Sequence, residues 1–252
     1  IDFKDAKVKL VAGEVNRVGP PASPRPTRML EARAMAAPLA GGVTTQALEA
    51  SHIYAMGRPI TLADKESKQL ALLDSQGVAI RREFIVRNDQ PQFYSTTLRG
   101  QALESRADVE LIFKNDAGAK LVVPLPAGVM RVYGMNEQGA SQFLGESVID
   151  HTATGGEVRV KLGRDFDVPV TREQTNFVRA SNTITISAWK VTVRNAKSRP
   201  LKVRVIEPMP ESWEIIKESH PHKATSAATT EWLLDVPAKS QAVLEYNVKS
   251  LF

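Results

Sequence analysis

The residues with the clearest chemical potential form a basic run between positions 190 and 204, with the sequence KVTVRNAKSRPLKVR. Cations concentrated in this way create a positive field that attracts an anionic polymer or a membrane surface. No aromatic residues alternate with the charges, so a base-stacking site for nucleic acid is not expected. The run contains no acidic residue and six cationic ones: Lys190, Arg194, Lys197, Arg199, Lys202 and Arg204.

A second group of chemically capable residues lies in the segment ESHPHK, which contains Glu218, His220 and His222. A zinc site needs three or four convergent ligands, and these three residues are the best candidates that the chain offers. Pro221 keeps His220 extended, which suits an exposed loop as well as a ligand arm. We expect the loop without a metal, and no other cofactor is indicated; a metal site remains the alternative.

The sequence supports acid–base and nucleophilic catalysis less strongly than it supports anion or metal binding. Asp165 and Asp167 share one face of an extended segment, but a calcium loop would supply further oxygen ligands in sequence, so we expect local ion pairing. Ser141 and Ser147 lack the second glycine of a nucleophile elbow. In a strand, Ser147 and His151 would be about 13 Å apart. No catalytic residue is therefore assigned.

The elements that must position these side chains are short β-strands. Runs of Val, Ile, Thr and aromatic residues alternate with Gly, Pro and Asn turns, which is typical of an all-β sandwich. In the basic run, the valines alternate with the cations, which predicts a hairpin closed at residues 195–200 with its basic face outward. The simpler interpretation of that face is a solvated surface whose lysines protect a sheet edge. Residues 124–146 predict two further strands joined by a polar turn, with Gly145 breaking the second.

The same pattern of short strands and turns predicts two β-sandwich-like modules, of which the carboxy-terminal one is immunoglobulin-like. A lone strand and a Pro/Ala-rich linker precede them, and residues 168–181 predict a strand that crosses between the modules. The predicted boundaries are residues 1–18 for the strand remnant, 19–50 for the linker, 51–180 for the first module and 181–252 for the second.

Composition limits the functional classes. The 252 residues carry a formal net charge of +5, which suits an anionic partner. The absence of cysteine excludes cysteine catalysis, and no stretch has the about 20 apolar residues that span a bilayer. The chain begins with Ile1 without a charged start and an apolar run, so we expect a fragment or processed chain whose signal peptide lies outside this sequence.

Several segments resemble the bacterial envelope family catalogued as domain of unknown function 4139, which is associated with mucoidy-inhibitor proteins. The resemblance implies an exported, β-rich protein without an agreed activity, and it offers no catalytic residues. Longer members carry an amino-terminal region that this chain lacks. The similar segments are residues 59–74, 123–133, 142–147, 160–168 and 191–215, together with residues 10–18, which resemble the strand that precedes the domain.

These observations together favour a binding, structural or assembly component of the bacterial envelope over an enzyme. The expected location is periplasmic or extracellular. The expected partner is an anionic envelope polysaccharide, a lipid surface or another envelope protein, and nucleic acid is not expected. The alternative is a hydrolase with a metal or polar site between the modules, using Glu218, His220 and His222.

Overall fold

The computed structural model describes residues 1–13, 44–48, 51–88, 93–96, 99–119 and 123–251. The predicted all-β class is confirmed, because the described residues form sixteen strands and one short 3-10 helix, Ala117–Ala119. Within these residues, no helix is both long and apolar enough to cross a membrane. The strands are β1 (Phe3–Ala6), β2 (Lys9–Ala12), β3 (Thr44–Leu48), β4 (Ser51–Ala55), β5 (Ile60–Leu62), β6 (Arg81–Arg87), β7 (Ala102–Lys114), β8 (Gly128–Met135), β9 (Ser141–Ile149), β10 (Glu157–Arg179), β11 (Ile184–Asn195), β12 (Leu201–Pro208), β13 (Ser212–Glu218), β14 (His222–Ser226), β15 (Thr229–Val236) and β16 (Ser240–Leu251).

The largest element is a nine-stranded sheet with the order β13-β16-β11-β10-β7-β6-β12-β15-β14. Its strands alternate buried and outward residues, the period-2 pattern of a sheet with one covered face. Trp189 of β11 and Val203 of β12 belong to the same core although three strands separate β11 from β12, so the sheet curls around that core. The result is a sandwich-like body.

The two edge strands of this sheet, β13 and β14, are consecutive in the chain and lie side by side. The indole Nε1 of Trp213 in β13 donates to the carbonyl of Ala227, just after β14, at 2.8 Å. The backbone N–H of His222 donates to Oε1 of Glu218 at 3.3 Å. The sheet is therefore nearly closed, and side chains rather than a strand ladder join its two edges.

The chain separates into two compact units that are discontinuous in sequence. The first contains residues 1–79, 113–129 and 148–158, and the second contains residues 80–112, 130–147 and 159–252. Most of the nine-stranded sheet lies in the second unit. In the first, Tyr54 is buried and its hydroxyl donates to the carbonyl of Pro124 at 2.8 Å.

This division differs from the predicted boundary near residue 180. The predicted crossing strand is β10, and it pairs with β11 from Val170 opposite Val193 to Arg179 opposite Thr185. Strands β6, β7 and β10 therefore share one sheet with β11 to β16, and residues 181–252 do not form a separate sheet. Turn residues mark where strands end, but they do not show which strands pair.

The amino-terminal strands pair within the described chain. Residues 1–13 form two strands, of which β1 pairs with β5 and β2 with β4. The predicted linker of residues 19–50 includes β3, which also pairs with β4. The rest of that linker lies outside the described residues.

The predicted strand pair in residues 124–146 is present as β8 and β9, which form a sheet of their own. Gly145, predicted to break the second strand, lies inside β9, which continues through it from Ser141 to Ile149; its φ is +155°. A Cβ at this position would lie 2.8 Å from the carbonyl oxygen of Leu162, which is too close for any other residue. The glycine therefore allows the backbone of β9 to approach β10.

An ion pair lies inside the core of the nine-stranded sheet. Nε of Arg172 donates to Oε1 of Glu207 at 3.0 Å, and both side chains are buried. The guanidinium of Arg172 also stacks over the ring of Trp189, with 3.6 Å between Cζ and the ring centroid. Asn88 Nδ2 donates to Oε2 of Glu207 at 2.8 Å. A buried charge is tolerated only when it is paired in this way.

The phenol of Tyr246 lies beside this ion pair and is fully buried. Burial raises its pKa well above the ordinary value, and the charge of Glu207 raises it further, whereas Arg172 opposes the shift. Ionisation of this hydroxyl is therefore unfavourable in the folded protein.

We expect this buried phenol to make the protein sensitive to alkali. The folded state holds the phenolic proton of Tyr246 more tightly than the unfolded chain does. The contribution of this phenol to the unfolding free energy is therefore fully present below about pH 10, the ordinary tyrosine pKa. It is lost as the pH rises through the higher pKa of the folded state. Urea unfolding from about pH 9 to about pH 11 should show a steeper fall in the unfolding free energy for the wild type than for Tyr246→Phe. Equal slopes would contradict this expectation.

Candidate anionic-ligand site

The predicted basic hairpin is wrong in its pairing. Strand β11 pairs with β10 and β16, whereas β12 pairs with β15 and β6, so the two basic strands are not neighbours. The alternation identified which side chains point inward, but it contained no information about the neighbouring strand. Strand β11 pairs with the preceding strand β10 and with the distant β16, and β12 pairs with β15 and with the distant β6.

The predicted faces of these strands are confirmed. Val191, Val193, Val203 and Val205 are buried in the core. The intervening residues of β11 and β12, including Arg194 and Lys202, lie on the outer side of the sheet. The cations therefore point outward, but they do so from two parts of the sheet that are three strands apart.

Most cations of the run have acidic neighbours. Lys190 lies opposite Glu173 and Glu245 in the strand registers. Nζ of Lys202 lies 3.0 Å from Asp235, and Arg204 contacts Glu83 at 2.6 Å and Glu231 at 3.5 Å. Among the described residues, Arg194 and Arg199 form no ion pair. The run is thus not a single uncompensated patch.

Lys197 forms ion pairs with both residues of the predicted acidic pair. Its Nζ lies 3.0 Å from both Asp165 and Asp167, so the expected local ion pairing is confirmed. Burial alone would lower the pKa of Lys197, but the hydrogen bonds to both carboxylates outweigh it and raise the pKa above the ordinary value. Lys197 is therefore a structural cation and is not free to bind a ligand.

Lys202 and Arg204 line a cavity of about 500 Å³, which we call the basic cavity. Strands β6, β12, β15 and β14, neighbours in the sheet, supply most of its wall. Leu233, which is 55% exposed, and Pro221 add apolar surface. The charged residues of the lining are Arg81, Arg82, Lys202, Arg204 and Lys223, with Glu83 and Glu231.

Ion pairs compensate only part of this charge. Glu83 accepts hydrogen bonds from Arg204 at 2.6 Å and from Arg81 at 2.8 Å, so a single carboxylate serves two guanidinium groups. Arg82 and Lys223 form no ion pair with any residue in the described part of the chain. A negatively charged group in the cavity would meet these two cations beside exposed apolar surface.

Sequence reasoning missed Arg81, Arg82 and Lys223. The two arginines begin β6, which pairs in parallel with β12 from Phe84 opposite Val203. No local pattern connects positions so distant along the chain. Two consecutive arginines at the start of an apolar strand were the one available signal in the sequence, and this signal does not show which strand pairs with β6.

The metal candidates come together only in part. Nδ1 of His222 lies 2.9 Å from Oε2 of Glu218, whereas His220 contacts the hydroxyl of Ser219 at 2.9 Å. Trp232 Nε1 donates to the same Glu218 oxygen at 3.0 Å. No group of three or more metal-ligating side chains occurs in the described ranges. Glu218 and His222 instead join the two sheet edges, with the rings of Trp213 and Trp232 on either side of the imidazole.

We expect His222→Ala to reduce the unfolding free energy by about 1–2 kcal/mol, because it removes one hydrogen bond and two aromatic contacts. His220→Ala is the matched control, because within the described residues its imidazole makes one hydrogen bond, to the exposed Ser219 hydroxyl, and it should change stability by less than about 0.5 kcal/mol. Urea unfolding measures both variants. Metal content should be the same in all three proteins, and zinc lost on substitution of His222 would restore the metal alternative.

Comparison with protein-family models, with curated proteins and with solved structures found no match to this chain.

Proposed function

We propose that this chain is a binding module of the bacterial envelope, rather than an enzyme, and that it holds an anionic ligand at the basic cavity. The observation that carries the proposal is the pair Arg82 and Lys223, two exposed cations without ion-pair partners among the described residues that line one cavity with exposed Leu233. The resemblance to an exported envelope family supports the location. The excess positive charge supports the sign of the ligand.

The cavity favours a ligand that combines negative charge with apolar surface. Cations attract carboxylate or phosphate groups, while Leu233 and Pro221 gain from contact with an apolar part. An acidic polysaccharide and an anionic lipid surface both carry such charges. The lipid offers more apolar surface, so we expect it to bind more tightly.

The contacts of the two carboxylates in the basic cavity fit a binding role better than a catalytic one. A general acid or base must be free to exchange a proton with the substrate. Glu83 is held by Arg204 and Arg81, and Glu231 lies 3.5 Å from Arg204. These ion pairs hold both carboxylates against the arginines of the wall.

The test uses vesicles of phosphatidylglycerol, vesicles of phosphatidylcholine and polygalacturonate as three separate probes. We expect Arg82→Gln with Lys223→Gln to weaken binding to the anionic vesicles about 30-fold, since each cation near an anionic surface contributes about 1 kcal/mol. Wild-type binding should also weaken as salt rises. Phosphatidylcholine should not bind.

The matched control is Lys161→Gln with Lys217→Gln, which removes two exposed cations that do not line the basic cavity. It should retain most of the affinity of the wild type. An equal loss in both double variants would show that only net charge matters. Failure of the wild type to bind either anionic probe would overturn the proposal, and binding of polygalacturonate alone would identify a polysaccharide ligand.

A further inference from the structure

A second cavity, of about 400 Å³, lies on the outer side of three adjacent strands, β7, β10 and β11. It shares no lining residue with the basic cavity. Each of the three strands contributes one arginine to it: Arg106 from β7, Arg164 from β10 and Arg194 from β11. We call it the three-arginine cavity. The lining also includes Glu104 and the hydroxyl residues Ser105 and Thr171.

The arginines of this cavity are poorly compensated. Arg164 has a distant contact, 3.7 Å from Nε to Asp108. Among the described residues, Arg106 and Arg194 form no ion pair. By contrast, Lys197 has two carboxylates at 3.0 Å, and Arg204 has one at 2.6 Å. Like charges brought together across neighbouring strands destabilise a sheet unless something neutralises them.

Arg106 is held in a defined orientation. Its Cζ lies 4.7 Å from the centroid of the Phe166 ring, which is 76% exposed. A guanidinium stacked on an aromatic face keeps its N–H groups in the plane parallel to the ring, where they remain able to donate.

We propose that the three-arginine cavity binds a tetrahedral oxyanion, the phosphate or sulfate group of an anionic ligand. Guanidinium groups donate pairs of hydrogen bonds that match such oxygens, and three arginines line this cavity together with two hydroxyl residues. The anion supplies the missing negative charge. This site is separate from the basic cavity, so the inference does not depend on the function proposed for that cavity.

The experiment titrates the protein with inorganic phosphate, sulfate and acetate at constant ionic strength, followed by calorimetry and by the shift in melting temperature. We expect phosphate and sulfate to bind with millimolar affinity and to raise the melting temperature, because a ligand that binds only the folded state stabilises it. Acetate should bind more weakly. Indistinguishable responses to all three anions would overturn the proposal.

Three variants locate the site. Arg106→Gln with Arg194→Gln should weaken phosphate binding at least about tenfold through loss of charge-assisted hydrogen bonds. Phe166→Leu should weaken it about two- to fivefold, although it changes no charge, because the stacking that orients Arg106 is lost. Arg82→Gln with Lys223→Gln shows whether the anion binds at the basic cavity instead. The control is Lys161→Gln with Lys217→Gln, two exposed cations that line neither cavity, and it should leave phosphate affinity unchanged.

The variant results also separate this proposal from the other one. Circular dichroism confirms that each variant is folded before it is titrated. Phosphate binding that survives in Arg106→Gln with Arg194→Gln would overturn the three-arginine site. Phosphate binding that disappears in the Arg82 and Lys223 double variant would overturn it as well, because the anion would then occupy the basic cavity.

Discussion

Substitution of Arg172 by Met will reduce the unfolding free energy by about 3–5 kcal/mol, the effect of removing one partner from a buried ion pair. The substitution removes the cation that pairs with Glu207 in the core, where the remaining described partners of Glu207 are the amide of Asn88 and the neighbouring Tyr246. It also removes the guanidinium that stacks over Trp189. Urea unfolding followed by circular dichroism measures the change.

The double variant Arg172→Met with Glu207→Leu shows whether the loss comes from an unpaired charge. Replacement of a whole buried ion pair by apolar residues is often neutral or stabilising, so we expect the double variant to recover most of the stability. Lys202→Gln is the control, because its pair with Asp235 is exposed and should contribute about 0–1 kcal/mol. A double variant as unstable as the single one would show that packing, not charge, sets the cost.

The second large effect is expected for Trp232→Ala, at about 3–5 kcal/mol. Trp232 has no exposed surface, and its ring stacks on Tyr246 with 4.5 Å between centroids. Its Nε1 also donates to Glu218. Truncation would therefore leave a large cavity and remove one hydrogen bond to Glu218 where the two sheet edges meet. Trp189, which is 1% exposed, should give a loss of similar size.

Two substitutions test whether the stability lost in Trp232→Ala comes from the burial of this side chain. Trp232→Phe keeps most of the ring volume and loses the indole hydrogen bond, so its loss should be clearly smaller than that of Trp232→Ala. Trp213→Ala should also cost less, because Trp213 is only half-buried beside the same core. Thermal and urea unfolding provide the comparison, and equal losses for Trp213 and Trp232 would contradict the role of burial.

The burial of these tryptophans could be predicted from the sequence, because Trp189 and Trp232 each lie in an alternating run. The burial of Arg172 could not, because TREQT looks like an outward polar stretch of strand. Its partner Glu207 lies 35 residues away on a strand that is not a sheet neighbour of β10. A polar stretch therefore predicts an outward side chain correctly only where no distant residue of opposite charge pairs with that side chain in the core.

The same limit explains the outcome for the binding residues. The period of two predicted that the cations of β11 and β12 point outward, which was correct. Their assembly into cavities depends on strand pairing, which brings Arg82 and Lys202 into the lining of one cavity and Arg106 and Arg194 into the lining of another. Pairing is decided by the packing of the whole core, and no single stretch of the chain contains that information.

The near-closure of the nine-stranded sheet has a consequence for how the protein folds. Strand β6 pairs in parallel with β12, and the paired residues Phe84 and Val203 are 119 positions apart. A long segment must be ordered before such contacts can form, and the entropy of closing that loop is lost first. We therefore expect folding on a timescale of about milliseconds to seconds, with the β13–β14 junction formed late. Until that junction forms, both sheet edges can pair with another chain, so aggregation during refolding should increase with protein concentration.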